Sequence, residues 1–127
     1  MKRPNAHKVE RGQKAHKRGH LSEYIALVHL LLTGHRILGF RLKTPEGEID
    51  ILALRGQRLA VIEVKQRRTV MEALTAVSPT QKYRLWQAGH QLQARRPQLA
   101  KLSLHVDLYV VTPRGVRYVR DAFADGI

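Results

Sequence analysis

Residues 48–55 (Glu-Ile-Asp-Ile-Leu-Ala-Leu-Arg) and 58–66 (Arg-Leu-Ala-Val-Ile-Glu-Val-Lys-Gln) are separated by Gly56-Gln57 alone. A two-residue connection between two strand-like runs is a tight hairpin, and a tight hairpin fixes its register. With Arg55 opposite Arg58, the opposed pairs become Leu54 and Leu59, Ala53 and Ala60, Leu52 and Val61, Ile51 and Ile62, Asp50 and Glu63, and finally Glu48 and Lys65. Side chains alternate along a strand, so Glu48, Asp50, Glu63 and Lys65 are expected on one face and Ile49, Ile51, Ile62 and Val64 on the other. Near the turn both faces are apolar, as in strands buried at the centre of a sheet with helices on both sides.

The flanking sequence supplies those helices. Between about Arg18 and Thr33, Leu21, Tyr24, Ile25, Val28, Leu31 and Leu32 recur at three and four, which predicts a helix with this face turned to the core and ended by Gly34. A strand is expected over 36–43, turning at Thr44-Pro45-Glu46-Gly47. A second helix should start at Ser78-Pro79 and run to about Arg95, with Leu85, Trp86, Gly89 and Leu92 as its stripe and Trp86 as a core residue. Alternation predicts a strand over 102–112, a turn at Pro113-Arg114-Gly115 and a short strand over 116–119. The expected fold is α/β, an αβββαβ core with a central mixed sheet flanked by helices and a short extra C-terminal strand. At 127 residues, 43% of them apolar, the chain suffices for one domain, expected over 18–127.

Residues 1–17 show no apolar period and are expected to form a basic flexible tail. Seven basic residues against Glu10 precede the helix, and the whole chain carries a net charge of +13. Such a balance attracts polyanions, and nucleic acid, most of all DNA, is the expected partner. There is no cysteine, so thiolate metal sites and disulfides are excluded. With no long uncharged apolar run and no secretory leader pattern, a cytoplasmic protein without a membrane partner is expected.

Two carboxylates opposed across a hairpin, at about 4.5–5.5 Å between Cβ atoms, repel each other unless something neutralises them. A hard divalent cation, Mg2+ or Mn2+, does this with one or two carboxylates and keeps its other positions for water and phosphate. Lys65, two residues beyond Glu63 on the same face, adds a cation suited to an attacking water and to charge developing on phosphorus. The plain alternative is a salt-bridged strand end in which Lys65 pairs with Glu48.

Asp50, twelve intervening residues and Glu63-Val64-Lys65 resemble the signature of PD-(D/E)xK nucleases, with a spacing similar to that of archaeal Holliday junction resolvases. The chain also resembles the YraN family of predicted bacterial endonucleases. That pattern is carried by Gly19, Glu23 and Ala26, by Gly47-Glu48-Ile49-Asp50, by Glu63-Val64-Lys65-Gln66-Arg67, and by Lys82 and Asp107, over about residues 18–112. His105-Val106 stands where the family pattern has Arg-Phe. The resemblance implies a restriction-endonuclease-like core, a metal on Asp50, Glu63 and the Val64 carbonyl, and Lys65 beside the water. It leaves open a homodimer, the arrangement in which resolvase-like proteins cut two strands.

Glu23 is a further candidate for the metal edge, as the corresponding acid of resolvase-like nucleases is, with a solvated glutamate as the alternative. Lys82 is expected to face substrate phosphate or solvent. Arg41, Arg67, Arg68, Lys14, Lys17 and Arg18 complete the expected nucleic-acid contacts, and Asp107 is expected to hold structure. The seven histidines form no zinc spacing. Two functions follow: a metal-dependent endonuclease acting on branched or single-stranded DNA, or a non-catalytic nucleic-acid-binding module that retains the nuclease fold.

Overall fold

A computed structural model of the protein describes residues 20–123. The expected tail 1–17 and Lys14, Lys17 and Arg18 lie outside the described residues. Helix α1 covers residues 20–32 and gives way at Gly34, whose φ of 87° is a conformation that glycine adopts without strain. Strands β1 (Arg36–Thr44), β2 (Gly47–Arg55) and β3 (Arg58–Gln66) follow as a meander. Helices α2 (Val70–Ala76) and α3 (Pro79–Arg95) then cross over to β4 (Ser103–Thr112), which turns into β5 (Gly115–Val119). The sheet order is β1-β2-β3-β4-β5, antiparallel except for the parallel step from β3 to β4. A parallel step cannot be made by a hairpin, and α2 and α3 form the crossover it requires.

The sequence accounts for these elements locally. Ser78 caps α3 by accepting the Gln81 N–H at 3.1 Å, and Pro79 occupies the first turn, where its missing N–H costs nothing. Helix α2, absent from the sequence reading, is capped in the same way by Thr69, whose hydroxyl accepts the Glu72 N–H. One sheet face packs Leu52, Leu59, Val61, Val106, Leu108 and Val110 beneath the α2 and α3 side chains Ala73, Leu85, Ala88 and Leu92. Each large apolar side chain so buried contributes about 1.5–3 kcal/mol. Trp86 packs at the margin of this cluster and stacks on His90. On the opposite face Ile51, Ala53, Ala60, Ile62 and Tyr109 meet Ala26 and Leu30 of α1.

Two expectations are overturned. The periodic face of α1 points outward: Leu21, Tyr24, Ile25, Val28, Leu31 and Leu32 are between 37% and 82% exposed. The helix is apolar on almost every side, so periodicity alone cannot orient it, and its few polar groups decide. Ser22 donates to Gln66 at 2.9 Å, Glu23 accepts from Arg41 at 2.7 Å, and His29 meets the Tyr109 hydroxyl at 2.7 Å. These bonds hold the other arc against the sheet.

The second correction concerns the hairpin. Its register holds from Arg55 and Arg58 to Ile51 and Ile62. There the ladder stops, because the Asp50 carboxylate takes the Val64 N–H at 2.8 Å. Glu48 therefore does not sit opposite Lys65; it pairs along the backbone with Lys43 of β1. Beside this point Arg41 adopts a φ of 50°, and the alternation of β2 breaks. Ile49 joins the α3-side cluster, whereas Ile51 lies in the α1-side cluster, so the two do not share a face as expected.

Candidate functional site

Where β2 and β3 part, backbone hydrogen bonding no longer fills the space between them, and polar side chains do. Asp50 enters from β2, and Glu63 and Lys65 enter from β3. Glu63 is 6% exposed, and its Oε1 lies 3.4 Å from the Lys65 ammonium and 3.0 Å from the Gln81 side-chain amide, which donates to it. The Asp50 and Glu63 carboxyls lie close enough for each to shift the ionisation of the other. Burial first, and then the adjacent Glu63 charge, push Asp50 up to about 8 in spite of the Val64 N–H. Burial also raises Glu63, against the opposing pull of Lys65, Asp50 and Gln81.

The site is thus a pair of carboxyls that resist simultaneous ionisation, the electrostatic setting that a cation would relieve. Among the described residues no group of three or more His, Cys, Asp or Glu side chains is arranged to hold a metal ion. Any ion here must rest on the Asp50 and Glu63 oxygens and draw its other ligands from backbone, water or a bound molecule. That donor set fits Mg2+ or Mn2+, which are commonly held by one or two carboxylates.

The other expected residues are distributed unevenly. Glu23 stands close enough to Asp50 to disfavour its charge, yet its carboxylate is engaged by the Arg41 guanidinium, which lies over the Tyr24 and Phe40 rings at 5.3 and 4.7 Å. The Lys82 ammonium lies 5.4 Å from the centre of the Phe123 ring. Arg67 and Arg68 are exposed just beyond β3. Val64 contributes its N–H to Asp50, and its carbonyl belongs to the same stretch of β3. Asp107, on β4 beside Ile62 of β3, is wholly buried and accepts both arms of Arg58 at 2.6 and 2.8 Å, the Tyr118 hydroxyl and the Asp121 N–H.

Gln81 was missed by the sequence reading, although its signal was present. Counting one turn back from Leu85, with Ala88 and Leu92 following on the same stripe, reaches Gln81 rather than Lys82. Arg84, also missed, lines a shallow groove with Gly47, Glu48, Gln81, Leu85 and Ala88, so cationic and amide groups border the approach to Glu63. No helix among the described residues is long and apolar enough to cross a membrane.

The fold and site define an α/β protein with a five-stranded mixed sheet whose central hairpin parts around a half-buried aspartate, a buried glutamate and a lysine. The chain belongs to the uncharacterised protein family UPF0102, whose model matches residues 22–112. That span runs from the start of the inward arc of α1 to the end of β4 and includes Glu23, Asp50, Glu63, Lys65 and Gln81. The chain is 51% identical over 114 residues to a UPF0102 protein of Caulobacter vibrioides (strain NA1000 / CB15N), covering 89% of this chain and 91% of that one. A UPF0102 protein of Chelativorans sp. (strain BNC1) is 47% identical over 102 residues, 80% of this chain and 82% of its own. One from Sinorhizobium medicae (strain WSM419) is 45% identical over 111 residues, 87% and 91% respectively.

Proposed function

We propose that this protein is a divalent-metal-dependent nuclease that hydrolyses phosphodiester bonds in DNA, a member of the PD-(D/E)xK class that the YraN pattern resembles. The observation that carries the reading is the half-buried Asp50 beside the buried Glu63, with Lys65 next to them, at the place where the central ladder stops. Asp50, Glu63 and the Val64 carbonyl would hold Mg2+ or Mn2+. A bound cation there supplies Lewis-acid polarisation of the scissile phosphate and acidifies an attacking water. The protein's own groups do the rest. Lys65, 3.4 Å from the Glu63 carboxylate, would orient the water and offset charge developing on phosphorus. Gln81 fixes the Glu63 carboxylate by its hydrogen bond, and Arg84, Arg67 and Arg68 attract the substrate backbone.

The test is cleavage of a panel of branched, single-stranded and duplex DNA, with RNA alongside, in Mg2+ or Mn2+. The parent chain should cut at least one of these substrates. Asp50→Asn and Lys65→Ala should each lose on the order of a thousandfold in rate, the scale of several kcal/mol of barrier. Comparable cutting by the variants would remove the proposal. One observation favours the second reading, a binding module without catalysis: no third carboxylate completes the metal site among the described residues. Calorimetry separates the two, since the nuclease reading requires Mg2+ binding that depends on Asp50 and Glu63.

A further inference from the structure

Six of the nine large apolar side chains that are exposed among the described residues lie on one helix, α1. At 100° per residue, Leu21, Tyr24, Ile25, Val28, Leu31 and Leu32 fall within an arc of about 120°, a continuous stripe along the outer face. The order is also that of a helix-pairing seam. Leu21 and Val28 are seven apart, Tyr24 and Leu31 are seven apart and three further on, and Ile25 and Leu32 flank them as a widened edge. Given exposures of 62, 50, 37, 54, 53 and 82% along the chain, the stripe presents roughly 600–700 Å2, more than the largest apolar patch of most monomers.

A helix apolar on all sides is one that is covered on all sides. The sheet covers one arc of α1, and we infer that the other is covered by α1 of a second copy of this chain, seam against seam about a two-fold axis. Two such faces would bury at most about 1,200–1,400 Å2, the lower end of the range of specific interfaces. A two-fold contact requires a surface that complements itself, and an uncharged apolar seam does so where most of this surface would not. The chain as a whole carries +13, so two copies repel over most of their area. Along the seam no side chain is charged. The one charged residue of residues 20–32, Glu23, is turned inward onto Arg41, and His29 is turned to Tyr109.

Other occupants fit less well. Residues 1–19 contain Met1 and Val9 as their only large apolar side chains and cannot match six. A helix lying in a lipid surface is rich in Lys and Arg on its polar face, and residues 20–32 carry neither, the basic residues of this region all preceding residue 19 in the sequence. The pairing does not depend on the nuclease reading, and neither does its test.

The experiment is sedimentation equilibrium of the full chain from about 1 to 100 μM, paired with oxidative cross-linking of single-cysteine variants, which the cysteine-free sequence permits. The parent chain should sediment at twice its mass. Val28→Glu with Leu32→Glu should raise the dissociation constant at least about a hundredfold while circular dichroism still reports the folded chain, because both positions are solvent-exposed in the single chain. Met71→Glu, equally exposed but off the seam, should still pair. Val28→Cys should give covalent dimers on oxidation and Met71→Cys should not. A monomeric parent at 100 μM would overturn the inference, and so would a dimer that survives the Val28→Glu, Leu32→Glu double change. A chain that is monomeric in solution but captured by vesicles of anionic phospholipid through the same side chains would also overturn it, assigning the face to lipid.

Discussion

Asp50 on β2 and Asp107 on β4 are both inward carboxylates of the same sheet, and their surroundings differ in kind. Asp107 receives both arms of Arg58, a tyrosine hydroxyl and a backbone N–H, so its charge is matched within the fold. Asp50 receives one backbone N–H and faces a second carboxylate. Arg58 and Glu63 lie on the same strand, so β3 carries both the group that completes one aspartate and the group that destabilises the other. Buried charge with its partners supplied serves the fold. Buried charge without them is held at a cost by the rest of the structure, which is the usual condition of a functional site.

The contrast is sharpest in what removal does. Asp50→Asn or Lys65→Ala should reduce DNA cleavage about a thousandfold while leaving the fold intact, the largest effect expected. Arg58→Ala should do the opposite kind of damage. It leaves Asp107 buried without its cation, and loss of one member of a buried pair costs about 3–5 kcal/mol. Urea unfolding should show that loss, and Mg2+ should not restore it. Recovery of the Arg58 variant by Mg2+ would mean that the two aspartates are not distinct in role.

The third test reads the pair through pH. Asp50 titrates near 3.8 as an ordinary carboxylate and at about 8 in the folded chain. Between those values the unfolded chain has released a proton that the folded chain retains, so stability should fall as pH rises through this window and level off above it. Asp50→Asn cannot ionise and should flatten the fall, making the metal-free variant more stable than the parent at pH 8 by on the order of 1–3 kcal/mol. Mg2+ should restore the parent at that pH and leave the variant unchanged, and its affinity for the parent should rise with pH as Asp50 loses its proton. Thermal melts from pH 4 to 9, with and without Mg2+, check both signs. A parent that grows more stable with rising pH in the absence of metal would contradict the assignment.

The sequence reading went furthest where one local feature determined the outcome. Gly56-Gln57 set five pairs of the hairpin register, Ser78-Pro79 set the start of α3, and alternation marked β4. It failed where the outcome rested on contacts between distant residues. The ladder ends at Ile51 because a side chain, Asp50, replaces a backbone partner, and no periodicity encodes that. The outward turn of α1 depends on Ser22, Glu23 and His29 finding partners on three strands, information that lies outside the helix. Helix α2 was too short for its apolar spacing to register, although Thr69 followed three residues later by Glu72 is a capping signal. The carboxyl pair was legible as proximity; the way it is held was not.

The smallest expected effect belongs to Gln81, and it tests whether the Asp50 side of the comparison is tuned or merely tolerated. Its amide donates to Glu63 Oε1, and a hydrogen bond to the ionised form favours ionisation. Asp107 is held instead by a guanidinium, a tyrosine hydroxyl and a backbone N–H. Gln81→Leu keeps the apolar stem against the start of the Leu85 stripe and deletes the donor, so stability should change by about 1 kcal/mol or less. Glu63 should then hold its proton to higher pH, weakening Mg2+ binding more at lower pH than at higher. The measurement is Mg2+ titration calorimetry at pH 6.5 and pH 9. The variant should lose affinity up to about tenfold at the lower pH and little at the higher, whereas an equal loss at both would show that Gln81 acts by shape and not by charge.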